Sequence, residues 1–493
     1  MKSVLKLDGI QPLFDKSIID EENTTAEYTV GNPVKKETVF VADKPWEKGM
    51  AHYCNVIKDG DKYKMYYITH FATNNKAEKS GEQKGTTIVI LDLYVCYAES
   101  IDGINWVKPN LGLYEYEGSY DNNIILRSID KPEEGGFFDN FFVFIDENPA
   151  CPKEKRYKAT AYMNLYKLGG YSSADGIHWN LEGIFDLEGK FDTLNVCWWD
   201  KEIGKYVAYV RDFHDIPENG DINAGIRDAR RTESEDFIHW TKPELIKFNG
   251  TEDYPIYTNN ITRYYRNPNI YIGFPTRYEE RKEWSDNFEQ LCGKENRLKV
   301  MEQARRYGLT ITDCVFMSSR DGINFDKCDE ALFTPNMEFE PNWIYGNCYM
   351  AYFMLETPVG DGENTELSLF VMQHYAHGSA GETGYKDVVE RYTVRRDGFA
   401  YYKAKYSGAK VITKPFIFDG SELYLNFSTS AKGSVYITIK DEEGNTAKTC
   451  ELFGDSDKRK VKLLDAEIKD FARKPVIMEF KMKDAKVFSF EFK

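Results

Sequence analysis

The chain has 493 residues, nine cysteines and a net charge of −16. That length holds more than one domain, and cysteines of odd number without CxxC spacing exclude a disulfide framework or a zinc knuckle. Dispersed Lys and Arg in an acidic chain argue against nucleic acid and anionic membrane surfaces as partners, and no stretch is apolar enough to span a bilayer. The opening MKSVLKLDGIQPLFDKSIID alternates apolar with charged residues where a secretory signal would be unbroken, so the reading is a cytoplasmic protein. Nothing signals a cofactor, and self-association is left open.

In chain order, HYCNVI, a KDGD turn, KYKMYYITH and LYVCYAE read as strands leading to the phrase SIDGINW at Ser100. The same order returns three times: FFVFIDENPACPKEKRYKATAYM before SADGIHW at Ser173, NVCWWDKEIGKYVAYVR before SEDFIHW at Ser234, and ITRYYRNPNIYIGF before SRDGINF at Ser319. A fifth copy, CYMAYFMLETPVGDGENTELSLFVMQHY, ends in the degenerate VRRDGF at Val394. Five units of four strands predict an all-β fold, a five-bladed β-propeller over residues 1–404. The strands are apolar on both faces, as blades packed between blades require. Helix formers from Tyr278 to Gly308 predict a helical insertion at about 278–308. Beyond residue 405, Leu423, Leu425 and Phe427 alternate, as do Val435, Ile437 and Ile439, and Phe488, Phe490 and Phe492. That half-buried period predicts a C-terminal antiparallel β-sandwich over 405–493, serving as a buttress.

Asp-Gly between strands is a turn signal, so Asp102, Asp175, Asp236 and Asp321 are read as folding devices. If the first strand of each unit lines the funnel, the phrases fall on the opposite face. The long polar loops and the heads of the inner strands then share the face where chemistry belongs.

Each unit offers a carboxylate near that face: Glu47, Asp139, Asp192, Asp253, and Glu338 with Glu340. Acids converging in a low-dielectric cleft push one another's pKa values apart, so one holds a proton while another stays ionised, as glycoside cleavage needs. Glu47, Asp139, Asp192 and Glu340 are the catalytic candidates. Second strands end nearby with His70, Asn164, Arg211 and Asp212, Arg277, and His374 with His377. Arg211, Arg277, His374, His70 and Asn195 are read as substrate-binding, and Trp343 as a stacking platform alongside Trp46 and Tyr345. No metal is assigned, because HYAH alone is weak ligand spacing.

This arrangement resembles the five-bladed propeller glycosidases of glycoside hydrolase families 32, 43 and 68. The phrases CYAESIDGINWVKPNLGLYEYEGSYDNNIIL, KYVAYVR, RRTESEDFIHWTKPEL and KPFIFDGSELYLN resemble bacterial family-32-like proteins. The resemblance implies carboxylates on the inner strands of the first three blades, in the order Glu47, Asp139, Asp192, and a C-terminal sandwich as in family 32. The chain departs from family 32 in having no WMNDPNG-like opening and no E-C-P motif, and its Arg211-Asp212 lacks the proline of the Arg-Asp-Pro motif. The expected activity is hydrolysis of a short oligosaccharide or glycoside. The alternatives are a non-catalytic sugar-binding propeller and a family-130-like phosphorylase.

Overall fold

The computed structural model describes residues 4–69, 72–77, 88–91, 93–128, 139–163, 166–218, 220–250, 252–340, 342–359, 362, 364–375 and 384–493. The chain is mostly β-strand; five antiparallel sets of four strands can be traced along it, the first and fifth joined into one eight-stranded sheet and the fourth carrying a further parallel strand, Lys247–Phe248. The first runs His52–Asp59, Lys62–Thr69, Tyr94–Ser100 and Ile124–Arg127 from inner to outer strand. The second is Asp139–Ile145, Tyr157–Met163, Lys167–Ser173 and Asn180–Ile184, and the third is Val196–Asp200, Lys205–His214, Ile226–Ser234 and Glu244–Leu245. The fourth comprises Thr262–Tyr264, Asn267–Gly273, Met317–Ser319 and Asn324–Lys327. The fifth takes Tyr349–Val359, Asn364–Gln373 and Val388–Arg395 from late in the chain, and its outermost strand is Val34–Val41.

Buried polar side chains tie each sheet to the next. Asn55 exchanges two hydrogen bonds with the Val143 backbone, at 2.7 and 3.1 Å. The Thr160 hydroxyl donates to the Asn195 carbonyl at 3.1 Å, Asn259 donates to the Tyr209 carbonyl at 3.3 Å, and Asn260 donates to the Met350 carbonyl. A parallel bridge between Tyr352 and Asn55 returns from the fifth sheet to the first. Covering both faces of a sheet explains its unbroken apolar strands: Tyr66 packs on Trp179 of the second sheet at 6.2 Å, while its neighbour Tyr67 packs on Phe40 of the fifth at 4.9 Å.

The repeated phrase has one geometry in all four full copies. In the second, Asp175 Oδ1 accepts from the amides of Ile177 and His178 at 2.8 and 2.9 Å, and the Ser173 hydroxyl accepts from the Gly176 amide at 2.9 Å. Against the desolvation of partial burial, those bonds hold the Asp175 carboxyl well below the usual range. The phrase also clasps a neighbouring sheet. Gly322 presents its carbonyl to the Tyr209 hydroxyl at 2.7 Å, and a Cβ on Gly322 would stand 2.6 Å from that oxygen. Asp139–Ile145 starts, and Lys205–His214 ends, at the other end of the sheets, away from every phrase.

Residues 276–309 contain a strand, Thr276–Glu280, then three helices, α1 (Asp286–Gln290), α2 (Lys294–Gln303) and α3 (Arg305–Leu309). The C-terminal region forms one hydrogen-bonded sheet of ten strands, in which Leu423–Asp441 and Val476–Phe492 pair along most of their length. Leu423, Leu425, Phe427, Val435, Ile437 and Ile439 are all fully buried in its core. Where the sequence reading assigned residues 1–404 to the repeat body, Leu5–Leu7, Ile10–Pro12 and Glu27–Val30 pair within this C-terminal sheet instead. The degenerate fifth phrase is the joint: Asp397, fully buried, accepts from Tyr264 and Arg266 of the fourth sheet and from Ser489 of the C-terminal sheet at 2.6 Å.

Gly322 has φ 75° and Gly204 has φ 66°, but only Gly322 lies against another side chain. Gly204→Ala is expected to cost about 1 kcal/mol from backbone strain alone. Gly322→Ala is expected to cost about 1–3 kcal/mol more from overpacking, measured by denaturant unfolding of both variants.

Candidate functional site

At the ends of the sheets opposite the phrases, the inner strands begin with a shared distortion. Tyr53, Asn140, Asn260 and Cys348 have φ of 51°, 61°, 42° and 61°, and the pairing register shifts just after His52, Asp139 and Met350. A bulge at the head of a strand re-aims the side chain beside it. The residues preceding these positive φ values are His52, Asp139, Asn259 and Asn347. The sequence reading named Asp139, which stands at the head of the second sheet, and Glu47, which lies five positions before His52 at the head of the first.

Asp139 is half-buried, and desolvation pushes its carboxyl up to about 7, outweighing the opposing pull of the Asn140 backbone amide. Its charge acts on Tyr53, Tyr162 and Tyr257. These belong to a wall of rings: Tyr257 lies 5.6 Å from both Tyr345 and Tyr349 and stacks on Tyr278 at 5.8 Å, and Tyr53 lies 6.5 Å from Tyr349.

Arg211 stands on the same wall. It is buried, its guanidinium pairs with Asp192 and donates to the Lys190 carbonyl at 3.0 Å, and it lies over the Phe213 ring at 4.1 Å. Burial, with a contribution from the nearby Arg227 charge, lowers its pKa to about 10, and Tyr257, Tyr345 and Tyr53 oppose that shift. Asp192 is exposed. Asn195 positions this pair, accepting the Arg211 amide at 2.9 Å while donating to the Phe191 and Thr193 carbonyls at 2.8 and 2.7 Å. Tyr162 and Tyr257 each feel both Asp139 and Arg211, which brings the two groups into one electrostatic neighbourhood.

His374 is fully buried, and its ring stacks on His52 at 4.3 Å. Its Nδ1 bonds to Asp387 Oδ2 at 3.1 Å, and burial lowers its pKa to about 3, so the ring is neutral and Nδ1 is the donor. Asp387 also accepts the Ala51 amide at 3.0 Å. Ligand atoms of His52, His374 and Asp387 lie within 4.8 Å of one another, the one such trio among the described residues. It has the donor set of a divalent-ion site, which HYAH spacing could not reveal because His52 comes from the first sheet.

The remaining candidates lie apart. Glu47 is fully buried on a single helical turn, where the Lys44 amide, the Tyr67 hydroxyl and Lys108 occupy both its oxygens at 2.8, 2.5 and 2.8 Å. Those contacts make it a brace between the first and fifth sheets. Glu340 is exposed beside the insertion, 3.2 Å from Asn296. Arg277 clamps Asp313 on the adjacent strand, with Nε to Oδ1 at 2.9 Å. Trp343 packs against the insertion core and donates to the Asn336 carbonyl at 2.8 Å. Asp253 meets His214 at 2.9 Å. His70, Asn164 and His377 lie outside the described residues. Sequence reading missed Arg227, Tyr53, Tyr257 and His52.

No protein-family model matches the chain, and no curated protein does. Among solved structures it is similar to a glycoside hydrolase family 43 arabinoxylan arabinofuranohydrolase from Bacillus subtilis, at 10% identity over 94% of this chain and 99% of that one, TM-score 0.40. It is similar to a family 32 β-fructofuranosidase of Bombyx mori, at 9% identity over 95% and 93%, TM-score 0.38. It is also similar to an N-acetylgalactosamine deacetylase from F. plautii, at 11% identity over 76% and 95%, TM-score 0.41. Further neighbours are glycoside hydrolases of families 62 and 130. At such scores the likeness carries no argument about chemistry, which rests on the residues above.

Asp139 ionises near 3.8 in an unfolded chain and near 7 in the fold. Its contribution to stability is therefore full at low pH, falls as pH rises between those values, and stays level above. Asn does not titrate. The Tm difference, Asp139→Asn minus wild type, is expected to grow from about pH 4 to about pH 7 and then flatten, as melts across that range will read.

Proposed function

We propose that the chain is a five-bladed β-propeller glycoside hydrolase with a C-terminal β-sandwich, cleaving a short oligosaccharide or glycoside at the heads of its inner strands. Five sets of four strands, with contacts running from each to the next and back to the first, support the propeller reading. The observation that carries the activity is the unlike environment of two carboxyl groups near one another. Asp139 is pushed up to about 7, whereas Asp192 is ion-paired with Arg211. Carboxyl groups in such unlike environments can divide the roles of acid and base.

In this reading Asp139, in part protonated at neutral pH, gives its proton to the glycosidic oxygen as the bond to the anomeric carbon breaks. Asp192, ion-paired with Arg211, serves as base or nucleophile on the other side of the sugar. The Tyr53, Tyr257 and Tyr349 rings offer apolar faces to a sugar and hydroxyls to its polar edge. Glu47 takes no part, because both its oxygens are engaged, and Glu340 is left at the rim.

Turnover of an aryl glycoside panel tests the assignment. With Asp139 as the acid, the rate is expected to fall as pH rises through about 7. Asp139→Asn and Asp192→Asn are each expected to lose on the order of 10²-fold or more in rate while folding normally, and Asp139→Asn also loses the alkaline limb on good leaving groups. Variants that keep wild-type turnover and its pH profile would leave the carboxyl groups without a catalytic role.

A further inference from the structure

Arg227 opens the strand Ile226–Ser234, where it faces Phe213 across the pair. It is 4% exposed, its Nε has no hydrogen-bond partner, and it forms no ion pair among the described residues. Two rings hold it instead: Tyr278 with centroid 4.1 Å away and Phe213 at 5.3 Å. Comparable guanidiniums in these sheets have a carboxylate, as Arg263 has Asp200, Arg266 has Asp397 and Arg277 has Asp313. A ring face compensates a buried cation only in part, so an unpaired one is costly unless an anion arrives.

Arg211 shares the Phe213 ring, and its own pKa is lowered in part by the Arg227 charge, so the two cations are close. Asp192 balances one of them. Asp139, pushed up to about 7, is in part protonated at neutral pH and forms no ion pair with either among the described residues. Among those residues Arg227 is thus left without a paired carboxylate, beside the rings of Tyr278 and Phe213.

We propose that Arg227, together with Arg211, binds an oxyanion in the candidate active site, supplied by the carboxylate of an acidic sugar or by inorganic phosphate. A guanidinium fork matches either group through paired N–H donors. What the anion does there rests on the glycosidase reading. If it belongs to the sugar, water attacks the anomeric carbon as the glycosidic C–O bond breaks, its proton passes to Asp192, and the Asp139 proton goes to the leaving oxygen. If it is phosphate, a phosphate oxygen bonds to the anomeric carbon as the glycosidic C–O bond breaks, the same proton goes to the leaving oxygen, and a sugar 1-phosphate forms.

The test is calorimetric titration of the full chain with sodium phosphate and with sodium glucuronate and galacturonate, against sodium chloride at equal ionic strength. Saturable binding at about 1 mM or tighter is expected for at least one of them. Phosphate alone assigns the anion to a co-substrate, a uronate alone assigns it to the sugar, and both leave the shared oxyanion site standing. Arg227→Met is expected to lose at least about tenfold in affinity and, with the unpaired charge gone, to melt no earlier than wild type. Arg227→Lys keeps the charge without the fork, and is expected to bind more weakly than wild type but better than Met. Titrations no stronger than chloride, or affinity unchanged in both variants, overturn the proposal. Asp139→Asn separates the two readings, since it is expected to bind the anion while turnover collapses.

Discussion

The fold depends on a clasp of seven residues. In each full copy of the phrase a serine hydroxyl and an aspartate oxygen gather the amides of a turn, and that turn lies against a side chain of an adjacent sheet. The clasp supplies the bonds a tight turn would otherwise take from water, and it sets the angle at which one sheet meets the next. Its third copy shows how strongly the geometry is imposed. Phe237 occupies the glycine position with φ 75°, a conformation that costs about 1–2 kcal/mol for a residue with a side chain. Its ring lies 5.3–5.8 Å from Phe185, Tyr206 and Phe144, contacts that offset the strain.

With one end fixed, the other can carry polar chemistry inside an apolar wall. The bulges at the inner-strand heads, the half-buried Asp139 and the two buried arginines are each unfavourable alone. They stand together at one end of the sheets. The environment that raises the Asp139 carboxyl is the same one in which Arg227, among the described residues, has no paired carboxylate, so in the proposed reading low dielectric prepares both a proton donor and an anion acceptor.

The five units, the helical insertion and the alternating C-terminal strands were legible because each leaves a local period or composition. Asp139, Asp192 and Arg211 could be placed at strand ends because they sit within a residue or a few of an unmistakable apolar run. Glu47 misled because its counterion, Lys108, lies 61 residues away, and nothing local distinguishes a carboxylate captured in a brace from one facing a cleft. Arg227 lies in DINAGIRDARR, a polar stretch without the apolar run that marks the other strands. Its signal was alternation, since Arg227, Ala229 and Arg231 share one face of a strand. The membership of residues 5–30 in the C-terminal sheet had no local mark, because strand pairing depends on the partner.

The outermost strand of the fifth sheet, Val34–Val41, bears on how the molecule comes into being. It cannot pair until Val388–Arg395 has been made, and Leu5–Leu7 and Ile10–Pro12 wait longer still, for Phe416–Phe418 and Val476–Phe492. On a ribosome the earliest segments emerge without partners, while sheets one to four form locally behind them. Their pairings span most of the chain, which places completion of the fold among the slow, high-contact-order steps of assembly. During synthesis, the edges of Val34–Val41 and Ile10–Pro12 therefore stay unpaired until Val388–Arg395 and Val476–Phe492 are made, and charges such as Lys35, Lys36 and Glu37 help to shield the former.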